Sequence, residues 1–595
     1  AAAAKRGALE TLNALSSKLS GRWRPGDSWE LVLQELGLNW QQLEVPDVNL
    51  QASGDQNGNL QLAVDQIELQ AWHRVLRVLE LIPEKADEWL RALEPTGDLQ
   101  NVRLSRTDGE VSVAANLRDV VAGAHRGAPA VTGVNGYLSL NGKGGRVELA
   151  SSAGFSAHFP LLYDAPFEFS AARGTVAWDI DRDHNTVSIY SGPILLDAAA
   201  DGEGNTAGGA PVPAGGAFRG QFLLQIPLEP HTRAADFTLA LGLRDVAVQE
   251  QRNLVPITVS DDLRSWLNQS VGKHNDGRIP AAGFIYRGYS YREGEDRDLL
   301  ALGEHDFRQT VQLQADILDS SLEYAPDWPA AEHVDGHLGI NDRDVLVVAP
   351  RARLWNVDGA NVSVRLSPET TGSRLDVRAE LAGPATDGLK ILRESPLRDR
   401  LGSAFDSWVL DGAMRGTLQL SQPLGGADFE PSQQIDLALS DASLSLQNLN
   451  LDFEQLSGNV RYHSRDGLKG SRFRGQLWGK PLRASIQHLG AGEERDTQVV
   501  VRGEAVTQSI GQWSGRPELK WLDGDLEYTA RVTFPAAAKE KPYAAVLELS
   551  SDLEQVAVSL PAPLGKPAGE KSRFVLRVPI GEQGNLYHLS YGEHL

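Results

Sequence analysis

Seven-residue stretches that place an apolar residue, a glycine and two more apolar residues at alternate positions recur along the chain. The clearest are Val134-x-Gly136-x-Leu138-x-Leu140, Phe218-x-Gly220-x-Phe222-x-Leu224, Val334-x-Gly336-x-Leu338-x-Ile340, Met414-x-Gly416-x-Leu418-x-Leu420, Leu456-x-Gly458-x-Val460-x-Tyr462 and Leu522-x-Gly524-x-Leu526-x-Tyr528. Ala172-x-Gly174-x-Val176-x-Trp178 and Tyr190-x-Gly192-x-Ile194-x-Leu196 fit as well. A period of two specifies strands with one apolar and one polar face. Recurrence constrains the chain to one architecture throughout and argues against a string of catalytic domains. Eight such stretches are only about twofold more than chance would give, so their context matters.

That context is hairpins in series. Leu140 is followed by Asn141-Gly142-Lys143-Gly144-Gly145 and a second strand. Asp181 to Asn185, Asn341 to Asp344 and Arg465-Asp466-Gly467 play the same part elsewhere. Gly, Asn and Asp supply the turn conformations that hairpins need. The predicted fold is mainly β: a long, continuous, antiparallel, curled sheet of some 30–40 strands forming an elongated hydrophobic groove, with a few short helices. Residues 1–70 give its first strands. Residues 71–98 switch to helical spacing at Trp72, Val75 and Leu76, then at Ala86, Trp89, Leu90 and Leu93. Residues 99–595 continue the sheet, with a Gly/Pro/Ala-rich loop near 200–217 and short helices near 260–272 and 389–405. Residues 274–298 read as polar and glycine-rich around an apolar island at Ala281 to Tyr286. Glycines inside strands suit bends that curl a sheet. Periodicity alone leaves two readings open for the apolar face: a closed sandwich core or an open trough.

Of its 595 residues none is cysteine, which excludes disulfides, thiolate metal sites and cysteine nucleophiles. The formal charge of −22 opposes binding to nucleic acid. No run reaches the ~20 apolar residues that span a bilayer, and no signal peptide opens the chain, so any native anchor is expected outside it.

Candidate chemistry is sparse. His333, Asp335 and His337 alternate on one strand, as metal ligands would, but Val334, Leu338 and Ile340 take the other face, and the His/Asp face reads as the solvated one. Asp179-x-Asp181-x-Asp183-x-Asn185 opens like a calcium loop, yet His184 and Tyr190 stand where its glycine and glutamate belong. Phosphate-loop, nucleophile-elbow, zincin and dinucleotide motifs are absent from the sequence. No catalytic residue, metal ligand or cofactor is therefore assigned, and the chain is not expected to be an enzyme. The rival readings are a β-rich structural or adhesive envelope protein with a closed core, and a carbohydrate-active periplasmic enzyme.

Four segments resemble the YhdP family of the AsmA-like group. They are Tyr324-Ala-Pro-Asp-Trp328-Pro329 through Leu338, Leu389-Lys-Ile-Leu-Arg-Glu-Ser395-Pro396-Leu397, Ser265-Trp266-Leu267 with Gly277 to Gly288, and Ile82-Pro83-Glu84 through Leu99. The resemblance implies a periplasmic, inner-membrane-anchored protein of a Gram-negative envelope. Such a protein would carry phospholipids along a hydrophobic groove between the inner and outer membranes. The implied partners are phospholipids, the inner membrane through an anchor absent from this chain, and the outer membrane or envelope proteins; nucleic acid is not among them. The residues expected to line the groove are Leu138, Leu140, Val176, Trp178, Phe222, Leu224, Leu338, Ile340, Leu418, Leu420, Val460, Tyr462, Leu526 and Tyr528.

Overall fold

Alternating segments flanked by Gly, Asn and Asp become long strands, and the longest, Trp408–Leu424, runs 17 residues. The computed structural model describes residues 12–40, 43–78, 82, 84–125, 129–160, 163–198, 216–228, 235–257, 261–271, 276–290, 310–323, 329–394, 406–447, 449–489, 496–535, 545–580 and 588–592. These residues form 32 strands, which hydrogen bonding assigns to one sheet. Six α-helices of 4–10 residues accompany them. The chain divides into two units, residues 1–318 with 339–342, and residues 319–338 with 343–595.

In the first unit the antiparallel ladder begins Leu12–Arg24, Ser28–Trp40, Leu43–Asp55, Leu60–Glu68. It continues through Thr96–Thr107, Glu110–Ala122, Ala130–Asn141, Gly144–Ser151, Ala171–Asp181 and Thr186–Ser191. Ala217–Pro227, Ala235–Ala247 and Arg278–Ser290 follow. Helices interrupt it twice. Leu69–Val78 and Glu84–Leu93 follow the fourth strand, and Gln251–Leu254 and Asp261–Ser270 follow Ala235–Ala247. In the first helix Ala71, Trp72 and Val75 share a face, as a 3.6-residue repeat requires, and pack on Leu38 and Val45.

In the second unit the ladder runs Asp344–Leu354, Val357–Pro368, Ser373–Pro384, Trp408–Leu424, Ser432–Leu446 and Leu451–His463. Arg472–Leu477, Lys480–Leu489, Asp496–Val506, Leu522–Phe534, Ala545–Ser551, Phe574–Ile580 and His588–Tyr591 complete it. Helix Ala385–Arg393 follows Ser373–Pro384, and Thr507–Ser514 follows Asp496–Val506. Lys390 and Arg393 lie in the last turn of Ala385–Arg393, where cations complement the helix dipole. Gly388 lets that helix close on the sheet, because a Cβ there would meet Met414 Sδ at 2.5 Å.

Several strands carry a β-bulge at a residue with positive φ. Pairing shifts around Glu35, Asn101 and Asp119 in the first unit, and around Asn361, Asp441 and Gln455 in the second. These residues have φ between 48° and 52°. A bulge leaves one amide outside the ladder and bends the strand. A neighbouring side chain takes that amide: Glu35 N–H donates to Asn49 Oδ1 at 3.0 Å, Asp119 N–H to Asn135 Oδ1 at 3.0 Å, and Asp441 N–H to Ser457 Oγ at 3.2 Å.

Three local expectations change. Tyr190 and Ile194 belong to separate strands, Thr186–Ser191 and Ile194–Asp197, because Gly192-Pro193 breaks the run. Tyr190 then faces the polar side, where its hydroxyl donates to Asp179 Oδ2 at 2.8 Å. The apolar island at Ala281 to Tyr286 is the centre of a 13-residue strand, Arg278–Ser290. The helix expected near 389–405 starts at Ala385, directly after Pro384, and ends at Arg393. Residues 395–405 and nearly all of the 200–217 loop lie outside the described residues.

Candidate functional site

Register brings the expected groove residues into cross-strand rows. In the first unit Leu62, Leu104, Val113 and Leu140 stand side by side on four consecutive strands. Leu138 stands between Ala115 and Val147, and Val147 opposes Val176. The series Trp178, Ile189, Leu224 and Phe237 continues the same face. Phe222 opposes Leu239, which opposes Tyr286. The rings of Phe237 and Tyr286 are 5.9 Å apart.

In the second unit Val347, Val364, Val377 and Leu420 form one row. Ala379, Leu418, Ile435 and Tyr462 form the next, and Leu381, Gly416, Leu437 and Val460 a third. Gly416 has a steric reason to be glycine, since a Cβ would collide with the Asp436 carbonyl oxygen. Phe473, Ala484, Val501, Ala530 and Leu549 carry the face further, with Tyr528 beside Gly503 and Leu526 beside Ala505. Leu338 and Ile340 share a face of Ala331–Asn341. The opposite face is polar: Thr417, Asp436 and Arg461 are neighbours there, and Arg365 pairs with Asp344 at 2.6 Å.

Accessibility distinguishes these residues from a core. Of the fourteen, only Leu526 is buried; the others are half-buried, keeping a minor part of their surface accessible. Leu526 sits with Leu553 and Val556 beneath Ile510 of helix Thr507–Ser514. Burial pushes the Tyr528 hydroxyl above the ordinary tyrosine value. The apolar face thus stays accessible in part over many consecutive strands.

The polar constellations have local partners. His333 has a positive φ of 51°, outside the extended region that simple alternation with Asp335 requires. Its Nδ1 is 2.8 Å from Asp319 Oδ1, while Asp335 accepts from the Asp319 amide and from Arg351. The calcium-like run is a hairpin tip: Asp181 Oδ1 accepts the amides of Asp183 and His184, and Oδ2 lies 2.8 Å from His184 Nδ1. Hydrogen bonds from His184 hold the Asp181 carboxyl below its ordinary value, and the Asp181 carboxylate raises His184. Among the described residues no three His, Asp or Glu side chains gather as metal ligands would. No described helix is long and apolar enough to cross a membrane.

The sequence reading missed Lys566. Its buried ammonium donates to the carbonyls of Leu553 (2.6 Å), Val556 (2.6 Å), Glu570 (2.7 Å) and Pro567 (3.3 Å), pinning the segment that covers Leu526. Nothing in one lysine codon foretells this, because the acceptors are backbone groups.

The pattern of partly exposed apolar strands has a match in sequence. The sequence model of a family described as YhdP protein matches residues 2–595. The chain belongs to the YhdP family. A YhdP relative from Escherichia coli (strain K12), the intermembrane phospholipid transporter YhdP, is 23% identical over 554 residues, covering 88% of this chain and 39% of the relative. The chain therefore spans about two-fifths of the length of that curated YhdP protein. No solved structure matches it.

Proposed function

We propose that this chain is a segment of a periplasmic lipid-transport bridge, carrying phospholipid acyl chains along its apolar face between inner and outer membranes. The observation that carries the reading is the partial exposure of the cross-strand rows around Leu140, Leu224, Leu418 and Val460. An acyl chain of ~16 carbons costs on the order of 13 kcal/mol to expose to water, at about 0.8 kcal/mol per methylene. A row of apolar side chains about every 4.8 Å offers contact at each strand spacing, so a chain can advance without full exposure. Similar residues in successive rows give similar affinities, which suits sliding over tight retention. The name of the Escherichia coli relative supports phospholipid as the cargo.

Photoreactive residues at Leu338 and, separately, at exposed His337 test the reading in cells. Phospholipid adducts at 338 and not at 337 are expected. A folded protein without adducts at either position would move the assignment to a β-rich structural protein with a dry face.

A further inference from the structure

Three aromatic side chains of the apolar face stand directly opposite glycines. In the first unit Trp29 pairs with Gly54 and Trp178 with Gly145; in the second, Tyr528 pairs with Gly503. Trp29 shares its face with Leu31, which opens the row Leu31, Ala52, Leu62 and Leu104. Gly145 stands between Leu140 and Trp178 and leaves a gap in their row. Tyr528 follows Leu526 on one face of Leu522–Phe534.

In each pair the ring leans into the space above the glycine. A Cβ on Gly54 would meet Nε1, Cε2 and Cζ2 of Trp29 at 2.7, 2.8 and 2.9 Å. A Cβ on Gly145 would overlap Cζ2 of Trp178, and would stand 2.8 Å from Leu140 Cβ and 2.9 Å from the Ser139 carbonyl oxygen. On Gly503 it would lie 3.0 Å from Tyr528 Oη and 3.1 Å from Leu482 Cβ. None of the three glycines has a positive φ, so the backbone conformation does not demand glycine at these positions. The demand comes from the ring: the volume that a side chain of one strand would fill is taken by an aromatic group from the next.

We infer that Gly54, Gly145 and Gly503 are positioning residues for the cargo path: each lets a large ring recline, which keeps the apolar floor low enough for acyl chains to pass over it. This rests on the transport reading and adds to it what sets the height of the floor. An indole held upright would project beyond the leucines and isoleucines of its row and stand in the way of a chain moving across the strands. A reclined one fills the gap at the glycine and leaves the row level. A methyl group at the glycine removes the resting place and forces the ring away from the sheet, because a packed row has no spare volume beside it.

The test compares the wild-type chain, Gly145→Ala and the double variant Gly145→Ala/Trp178→Leu. Each is mixed with vesicles containing a phospholipid that carries a diazirine in its acyl chain, and circular dichroism melting checks the fold. Adducts are read by mass spectrometry at Ile189, which neighbours Trp178 in its row, and at Leu418 in the second unit. Gly145→Ala is expected to lower the yield at Ile189 several-fold, and Trp178→Leu in the same chain to restore it, with Leu418 unchanged throughout. A purely structural pairing predicts the reverse, because removing the indole as well enlarges the packing defect. An unchanged yield at Ile189 in folded Gly145→Ala, or a fall that Trp178→Leu does not reverse, would overturn the inference. Wild-type adducts at Leu418 would leave the transport reading standing in either case, and their absence would remove both. If Gly145→Ala fails to fold, Gly54→Ala with and without Trp29→Leu, read at Leu31, decides by the same outcomes, since the three atoms nearest a Cβ on Gly54 all belong to the Trp29 ring.

Discussion

Leu418→Asp separates a cargo-contacting residue from a structural one. Leu418 is half-buried, between Ala379 and Ile435 on adjacent strands. Full burial of a leucine is worth about 1.5–3 kcal/mol, so one that keeps a minor part of its surface exposed contributes about 1–2 kcal/mol to folding. The aspartate keeps part of its hydration, and the fold should lose about 1–2 kcal/mol, a small downward shift in melting. The cargo is hit harder. A carboxylate in the row removes apolar contact for roughly three methylenes, about 2 kcal/mol, or some thirtyfold in local occupancy. The assay is phospholipid adduct yield at Leu437 from an acyl-chain diazirine lipid, with circular dichroism melting as the control for folding. Gln419→Asp, on the polar face, should leave the yield unchanged. A folded Leu418→Asp protein with full adduct yield would refute the reasoning, and an unfolded one would make Leu418 an ordinary core residue.

Three other perturbations follow from the geometry. Lys566→Met should strand the carbonyls of Leu553, Val556 and Glu570, costing about 3 kcal/mol and opening residues 552–572 to hydrogen exchange. His184 should titrate above its ordinary value of 6.5 in an NMR pH series, returning toward it in Asp181→Asn. Because its folded value is raised, its stabilising contribution is complete below 6.5 and fades as pH climbs through the folded value. Asn135→Ala should leave the Asp119 amide without its acceptor and lower the melting temperature by an amount equivalent to roughly 1–2 kcal/mol.

Period-two patterning made most strands legible, and with them the common face of Leu138 with Leu140 and of Leu418 with Leu420. Burial was not legible, because alternation tells which side a residue takes and not what covers it. Leu526 and Leu418 occupy like positions in their motifs, yet only the first lies near a helix. Bulges left a faint trace. In Glu110–Ala122 the apolar phase runs Val111, Val113, Ala115, Leu117 and then shifts to Val120 and Ala122, around Asp119. A phase shift at a lone Asp or Asn inside a strand is the readable sign of a bend. The early start of helix Ala385–Arg393 was masked by Thr386-Asp387-Gly388, a run that reads as a turn until packing against Met414 is seen.

A sheet of so many similar hairpins carries a hazard of its own: every strand resembles several others, and a slip of one residue would turn its oily side outward. The locked bulges act against this. Asp119 with Asn135 and Asp441 with Ser457 each fit only when their two strands meet in one alignment. Each pair serves as a local address, read as the hairpin closes, that tells one near-identical neighbour from the next. Chains with several addresses erased should still collapse into sheet, yet with strands shifted and their sides mixed. The continuity of the oily surface would thus fail before the sheet itself does.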